Sequence, residues 1–313
     1  MTGQLSRGSL LMAVLGFTLI AATALSRWVS AQQPGQITIS VSPTVFELSA
    51  NPGQTLSNSF RIVNGTDQPL TLEAGPKNFT ASGEEGAVNL TEEETAFSLA
   101  SWIGVEPAQV VVPARGSQTF DFSIAVPDNA EPGGHFGSVI VKTQPIAIDA
   151  TGAAVSQEAG PLILVKVAGD IVEKASIASF SSPRLIWTGS PISLETRVQN
   201  VGNVHLKPRG TVSIKNLFGN EVTNINLEER NVLPGTVRKL ITEWSPGFTV
   251  GRFTADLSLV YGADNTIVTA STSFIVFPYK VILPVILGLI VLIYLLIRFR
   301  RRILAAGRAL AGR

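Results

Sequence analysis

The stretch Phe120-Asp121-Phe122-Ser123-Ile124-Ala125-Val126 alternates apolar with polar or small residues. In an extended chain successive side chains point to opposite faces, so this run buries one face and wets the other. Leu257, Leu259 and Tyr261 alternate in the same way with Asp256, Ser258 and Val260. Working outward, short runs rich in Val, Ile, Thr and Phe recur between Pro, Gly, Asn and Asp, and no helical period of any length intervenes. That is the pattern of an all-β sandwich.

In the first half the pattern predicts strands at Ile37–Val41, Val45–Leu48, Ser57–Asn64, Leu70–Asn78, Gln109–Val112, Ser117–Val126, Gly134–Thr143 and Pro161–Val167. In the second it predicts Ile171–Phe180, Ile192–Asn200, Thr211–Asn216, Glu221–Asn226, Val237–Trp244, Gly251–Tyr261 and Ile267–Phe277. The halves repeat each other. Arg61-Ile62-Val63-Asn64-Gly65-Thr66 matches Arg197-Val198-Gln199-Asn200-Val201-Gly202-Asn203, and Val112-Pro113-Ala114-Arg115-Gly116-Ser117 matches Leu233-Pro234-Gly235-Thr236. Pro132-Gly133-Gly134-His135-Phe136 likewise matches Pro246-Gly247-Phe248. Proline presets the turn angle and glycine supplies positive φ. The repeat predicts two tandem immunoglobulin-like or fibronectin-type sandwiches, 32–168 and 169–277, joined stiffly near Ala168-Gly169-Asp170.

The first module departs from the second by an insertion, Gly75 to Glu106, which carries Glu84-Glu85, Glu92-Glu93-Glu94, Phe97 and Trp102. Ile148–Gly160 reads as a flexible hairpin tip. Gln32–Ala168 carries five Lys/Arg against 14 Asp/Glu, whereas Asp170–Phe277 carries 10 against nine. An acidic outer module argues against nucleic acid as a partner.

The two ends set the compartment. Val281–Ile297 is an uncharged apolar run spanning roughly 25 Å as a helix, near the lower limit for crossing hydrocarbon. Pro278, Tyr279 and Lys280 precede it, and Arg298, Arg300, Arg301 and Arg302 follow it. The basic side stays inside, so 278–297 is expected to cross the membrane with 298–313 as a cytoplasmic anchor on anionic lipid. Residues 303–313 are too short to fold alone. At the other end Arg7, the apolar Leu10–Leu25 and Val29-Ser30-Ala31 have the anatomy of a secretory signal peptide, 1–31, cut after Ala31 or kept as a signal anchor. The absence of cysteine excludes disulfides and a lipoprotein anchor. The about 245 residues between the ends suffice for two cores held by burial alone. Three Asn-x-Thr sequons, at Asn64, Asn78 and Asn89, fit chance in a chain rich in Asn and Thr.

Several turn signatures resemble a known family. Ile39-Ser40-Val41-Ser42-Pro43 with Phe46-Glu47-Leu48 and Asn51-Pro52-Gly53-Gln54 resembles the opening of the DUF916, or WxL-interacting-protein, type of Gram-positive surface protein. So does Val126-Pro127-Asp128-Asn129-Ala130-Glu131-Pro132-Gly133-Gly134-His135-Phe136-Gly137. Asn200-Val201-Gly202-Asn203-Val204-His205-Leu206-Lys207-Pro208-Arg209-Gly210 is similar to that family's membrane-proximal companion domain. The resemblance implies a bacterial cell-surface protein whose outer domain contacts the cell wall, or peptidoglycan, and whose inner domain contacts another surface protein. The longer acidic insertion departs from the family pattern and leaves the ligand open.

Enzyme chemistry finds little footing. His135 and His205 are the only histidines, both in turns, and there is no HExxH, nucleophile elbow, P-loop or dinucleotide fingerprint. The acidic pairs lack the alternating Asp/Asn spacing of a calcium loop and read as solvated, so no metal or cofactor is expected. The expected ligand face joins Phe97 and Trp102 of the insertion to Gly133, Gly134, His135, Phe136 and Gly137, where glycines open the backbone to close approach. Against it stands the reading of Phe97 and Trp102 as a plug in the core. The function this predicts is non-enzymatic binding or scaffolding at the cell surface. An envelope spacer without a specific ligand is the alternative, and a surface hydrolase is a third.

Overall fold

The computed structural model describes residues 39–144, 146–147, 154–187, 189–247 and 249–310. The signal-peptide segment lies outside the described residues. The first module contains β1 (Ile39–Ser42), β2 (Val45–Ala50), β3 (Thr55–Asn64), β4 (Leu70–Ser82), β5 (Ala87–Thr91), β6 (Ile103–Glu106), β7 (Gln109–Val112), β8 (Ser117–Ala125) and β9 (Gly133–Thr143). It continues with the short β10 (Ile146–Ala147), β11 (Ala154–Val155) and β12 (Glu158–Ala159), and closes with β13 (Leu162–Val167). The second holds β14 (Ala175–Ser181), β15 (Leu185–Trp187), β16 (Ile192–Asn200), β17 (Arg209–Asn216), β18 (Glu221–Asn226), β19 (Val237–Trp244), β20 (Gly251–Tyr261) and β21 (Thr266–Phe277). A helix, α1, runs from Tyr279 to Leu310.

Each module is two sheets around its own core. In the first, β1-β3-β8-β6 faces β2-β13-β9-β4-β5, with β7 and β12 pairing onto β4 and β9. In the second, β14-β16-β19 faces β15-β21-β20-β17-β18. The two orders match along β1-β3-β8 with β14-β16-β19 and β2-β13-β9-β4-β5 with β15-β21-β20-β17-β18, while β6, β7 and β12 have no counterpart. Both modules send their second strand across to pair in parallel with their last strand, β2 with β13 and β15 with β21.

The alternation that decided the fold is realised directly. Phe120, Phe122, Ile124 and Val126 are buried, and Phe60 stacks on Phe120 at 5.5 Å between ring centroids. The second core closes on Trp244, Phe253 and Phe274, whose ring centroids lie 5.5–6.1 Å apart. Rings at this spacing add roughly 0.5–1.5 kcal/mol per pair beyond their area burial.

The sequence repeat has a physical cause in two buried asparagines. Asn64 and Asn200 are both fully inaccessible. Asn200 Nδ2 donates to the carbonyls of Val204 and Val232, each at 2.8 Å, while Oδ1 accepts from the Gly202 amide. Asn64 does the same with Gln68, Val112 and Pro113 on one side and Thr66 on the other. Each amide thus staples two loops at the end of its strand, a position where buried backbone groups need partners. The turn after Pro113 differs from expectation: Arg115, not glycine, takes the left-handed conformation at φ 56°, whereas Gly235 does so at 71° in the second module.

Three expectations change. First, the Gly75–Glu106 insertion is largely not an insertion. β4 continues to Ser82 and returns as β5, and this hairpin matches β17–β18. The unmatched part is 92–108, holding a single 3-10 turn at Ala100–Trp102, the edge strand β6 and the approach to β7. Second, strand pairing starts at Ala175 in β14, not Ile171, because the Val172 amide and carbonyl are engaged by Asn203. Third, α1 does not stop at Ile297 but continues to Leu310. Ala, Leu and Arg there are good helix formers and extend a helix already nucleated. Of the expected 148–160 tip, β11 pairs with β10, and residues 148–153 lie outside the described residues.

Candidate functional site between the modules

Three sets of contacts, with the Glu47–Lys207 and Lys166–Glu173 ion pairs beside them, build the seam between the modules. At the linker, the Gly134 amide donates to the Asn203 carbonyl at 2.8 Å, and the Asn203 side chain bridges Val172, Asp170 and Pro132. Gly133, at φ 132°, leaves only 2.7 Å between a would-be Cβ and the Asn203 oxygen. Only glycine fits there.

The second contact is a charged latch. The β4–β5 hairpin tip lies on β19, an edge strand of the second module. The Lys239 amide donates to the Glu84 carbonyl at 2.8 Å. Arg197 Nε meets Glu84 at 2.6 Å and Lys239 Nζ meets Glu85 at 2.7 Å. The hydrogen bond from Lys239 holds the Glu85 carboxyl below its usual range, and the one Arg197 donates to Glu84 raises Arg197. The acidic tip therefore also covers a strand edge that would otherwise be open to pairing. Glu92, Glu93 and Glu94 stay exposed, as expected of a solvated loop, whereas Glu84 and Glu85 do not act that way.

The third contact is apolar. Phe79, Phe136 and Leu164 form a small cluster onto which Leu233 of the second module packs. His205 meets Phe136 edge-on at 5.9 Å. Burial lowers the His205 proton affinity, with Lys166 and Lys207 adding to the effect and Glu47 and Glu173 opposing it. Its Nδ1 is sealed from solvent without a partner.

Between these contacts lies a cleft of about 330 Å³, walled by Val45, Phe79, Val88, Leu162 and Leu233 and rimmed by charge. Burial tends to raise the Glu47 carboxyl, but hydrogen bonds from Asn231 and Lys207 outweigh it and hold the group below its usual range. Arg230 pairs with Glu228. Arg238 differs: its guanidinium lies over the Gly86 backbone and has no carboxylate partner among the described residues. Its Nε is buried and unbonded, and burial lowers its proton affinity, as does Arg230 nearby, while the charges of Glu228 and Glu85 oppose this. Leaving a buried donor unbonded costs about 1–3 kcal/mol.

The structure brings the predicted aromatic set together but turns most of it inward. Trp102 and His135 lie 4.4 Å apart, and Phe97 and Phe136 6.2 Å apart. Gly133 to Gly137 are all buried, and Phe136 is 3% exposed. The His135 ring nitrogens face the Ser98 and Glu131 carbonyls at 3.2 and 2.9 Å. Trp102 packs against the first core, and Phe97 is 39% exposed. The close backbone approach expected of these glycines is thus made to the second module, which moves the candidate ligand surface off them and onto the neighbouring cleft. Sequence reasoning missed Glu47, Arg238 and the Glu84–Lys239 latch. The opposite charges of the two modules were the available signal.

Among the described residues no group of three or more His, Cys, Asp or Glu is placed to hold a metal ion. Tyr279–Phe299 is long and apolar enough to cross a membrane, and none of its apolar window is buried against the protein. Arg298 and Phe299 close that segment, and Arg300, Arg301 and Arg302 continue the same helix.

The fold and helix together define an all-β protein of tandem β-sandwiches carrying, among the described residues, one helix long and apolar enough to span a bilayer. No protein-family model matches the chain, and no curated protein matches it. Solved structures similar to it include the class 5 fimbriae chaperone CfaA, at 11% identity over 76% of this chain and 99% of that one, with a TM-score of 0.39. The Salmonella enterica SafA pilin–SafB chaperone complex is 12% identical over 78% and 98%, at 0.37. The E. coli chaperone DraB is 11% identical over 76% and 97%, at 0.35.

Proposed function

We propose that the chain is a single-pass surface protein that holds two β-sandwich modules outside the cell and its C-terminus in the cytoplasm, and that it binds or scaffolds without catalysis. The orientation rests on the arginines after the apolar helix, by the positive-inside bias. The observation that carries the binding reading is Arg238: a cation on the wall of an apolar cleft, next to several paired charges and itself unpaired. Such a site favours a ligand with a carboxylate and an apolar body. Peptidoglycan stem peptides and acidic segments of another surface protein both have that chemistry. Resemblance of the turn motifs to the DUF916, or WxL-interacting, type supports the same two partners.

The test uses the full chain in detergent, native and Arg238→Gln, presented with solubilised peptidoglycan fragments or with surface-protein extract. The native chain retains one of the two, and the variant loses it with an unchanged melting temperature. Equal retention by both chains contradicts the cleft as the site. Retention of neither by the native chain favours the spacer reading.

A further inference from the structure

Exposed apolar side chains of the second module concentrate at the end from which α1 leaves, with Val172, Val201, Ile241 and Ile267 exposed elsewhere. Trp187 is 49% exposed and pairs in register with Phe277, 38% exposed, across the parallel β15–β21 ladder. Its ring lies 5.2 Å from that of Tyr279, the first residue of the helix. Leu185 and Ile275, one pleat back on the same outward face, are also exposed, while Ile186, Phe274 and Val276 between them fill the core. Lys280 follows directly.

A second apolar point stands at the same level across the sheet. Asn216 pairs with Phe253, and Gly251 pairs with Val276, so the β17–β18 turn projects past the same end of the sheet as Phe277. Its tip is Leu217-Phe218, 70% and 85% exposed. The tip is held rigidly: Asn216 Oδ1 accepts from the Phe218 and Asn220 amides, and Gly219 takes φ 82°. In the first module the matching turn carries Gly83-Glu84-Glu85-Gly86 and docks on protein. Here the same turn carries two large apolar residues that stand exposed.

We propose that this rim is a two-point membrane seat: Trp187, Phe277 and Tyr279 on one side and Leu217-Phe218 on the other rest in the headgroup layer of the leaflet from which α1 emerges. The inference rests on the membrane reading of α1 given above. The occupant is lipid because the first point is continuous with the apolar helix, one residue separating Phe277 from Tyr279. Trp and Tyr rings, apolar with a polar tip, favour the bilayer interface. Lys280 supplies a cation for lipid phosphate. Two points separated across the sheet fix the tilt of the module, which a single helix does not.

The test is quenching of tryptophan emission in the full chain reconstituted into phosphatidylcholine–phosphatidylglycerol vesicles, with and without lipid brominated high on the acyl chain. The emission that Trp187→Phe removes should be blue-shifted and lost in brominated vesicles. A second chain, Trp187→Phe with Phe218→Trp, reports on the turn and should be quenched as well. A chain that stays with the vesicles through an alkaline wash but shows quenching at neither position, or at only one, overturns the two-point seat and leaves the membrane reading intact. A chain that washes off overturns both.

Discussion

The backbone amide of Lys239 donates to the carbonyl of Glu84 at 2.8 Å, tying the acidic hairpin of one module to the edge strand of the other. With the Glu85–Lys239 and Glu84–Arg197 ion pairs it forms the latch that fixes the angle between the modules. Replacing both glutamates by lysine places like charges against Arg197, Arg238 and Lys239. Small-angle scattering should then show a longer, more variable particle, while each core keeps its fold. The pairs are partly exposed, so high salt should shift the native chain slightly in the same direction. A particle of unchanged dimensions would assign the seam to the linker and apolar contacts without the latch.

Gly86 sits at φ 83° beneath the Arg238 guanidinium, and a Cβ there would fall on the guanidinium nitrogens. Gly86→Ala should cost about 1–2 kcal/mol for the left-handed backbone alone. It also displaces Arg238 from the cleft wall. Chemical denaturation checks the first effect, and partner retention checks the second.

Asn200 donates to two buried carbonyls. Asn200→Ala leaves both without a donor and should destabilise the second module by about 2–4 kcal/mol. Asn200→Asp should be worse at neutral pH, since it points a carboxylate at two carbonyl oxygens, and should partly recover as acid protonates it. Asn64 predicts the same order in the first module. Equal losses for the Ala and Asp variants would mean the amide N–H groups do not hold the loops.

Stability should also fall on mild acidification. Burial keeps the folded-state pKa of His205 below its unfolded value, so the unfolded chain takes up that proton first. Its contribution is whole above about pH 6.5 and is lost as pH falls below, with a slope of at most about 1.4 kcal/mol per pH unit. Glu47 and Glu173, which face it with Lys166 and Lys207, are also depressed, but they act only below about pH 4.3. Melting temperatures between pH 7 and 5 should drop in the native chain and drop less in His205→Gln. Identical profiles would exclude His205 as the source.

Much of the fold was legible because period-two alternation reports burial directly. Gln109–Val112, Ile192–Asn200, Glu221–Asn226, Val237–Trp244 and Gly251–Tyr261 appear with the predicted ends. β5, β6, β15 and the two-residue strands β10, β11 and β12 were not predicted. Ala87–Thr91 lies among glutamates and glycines, and Leu185–Trp187 is three residues long, so neither offers enough period to stand out. The aromatic residues named from the sequence do lie together, with Trp102 meeting His135. Their inward orientation was not legible, because alternation gives the face of a sheet and not what covers it. The latch was hidden for a related reason. Glu84 and Lys239 are far apart in sequence, and composition shows complementary charge without showing which tip reaches which edge.

The account stands on a chain that crosses one membrane with its modules outside, and the absence of cysteine makes this directly measurable. A single cysteine is placed at Ser59, on the outer module, or at Ala311, near the C-terminus. Intact cells are treated with a membrane-impermeant maleimide. The account predicts labelling of Ser59→Cys in intact cells and of Ala311→Cys only after lysis. Labelling of Ala311→Cys in intact cells, or protection of Ser59→Cys until lysis, would contradict it.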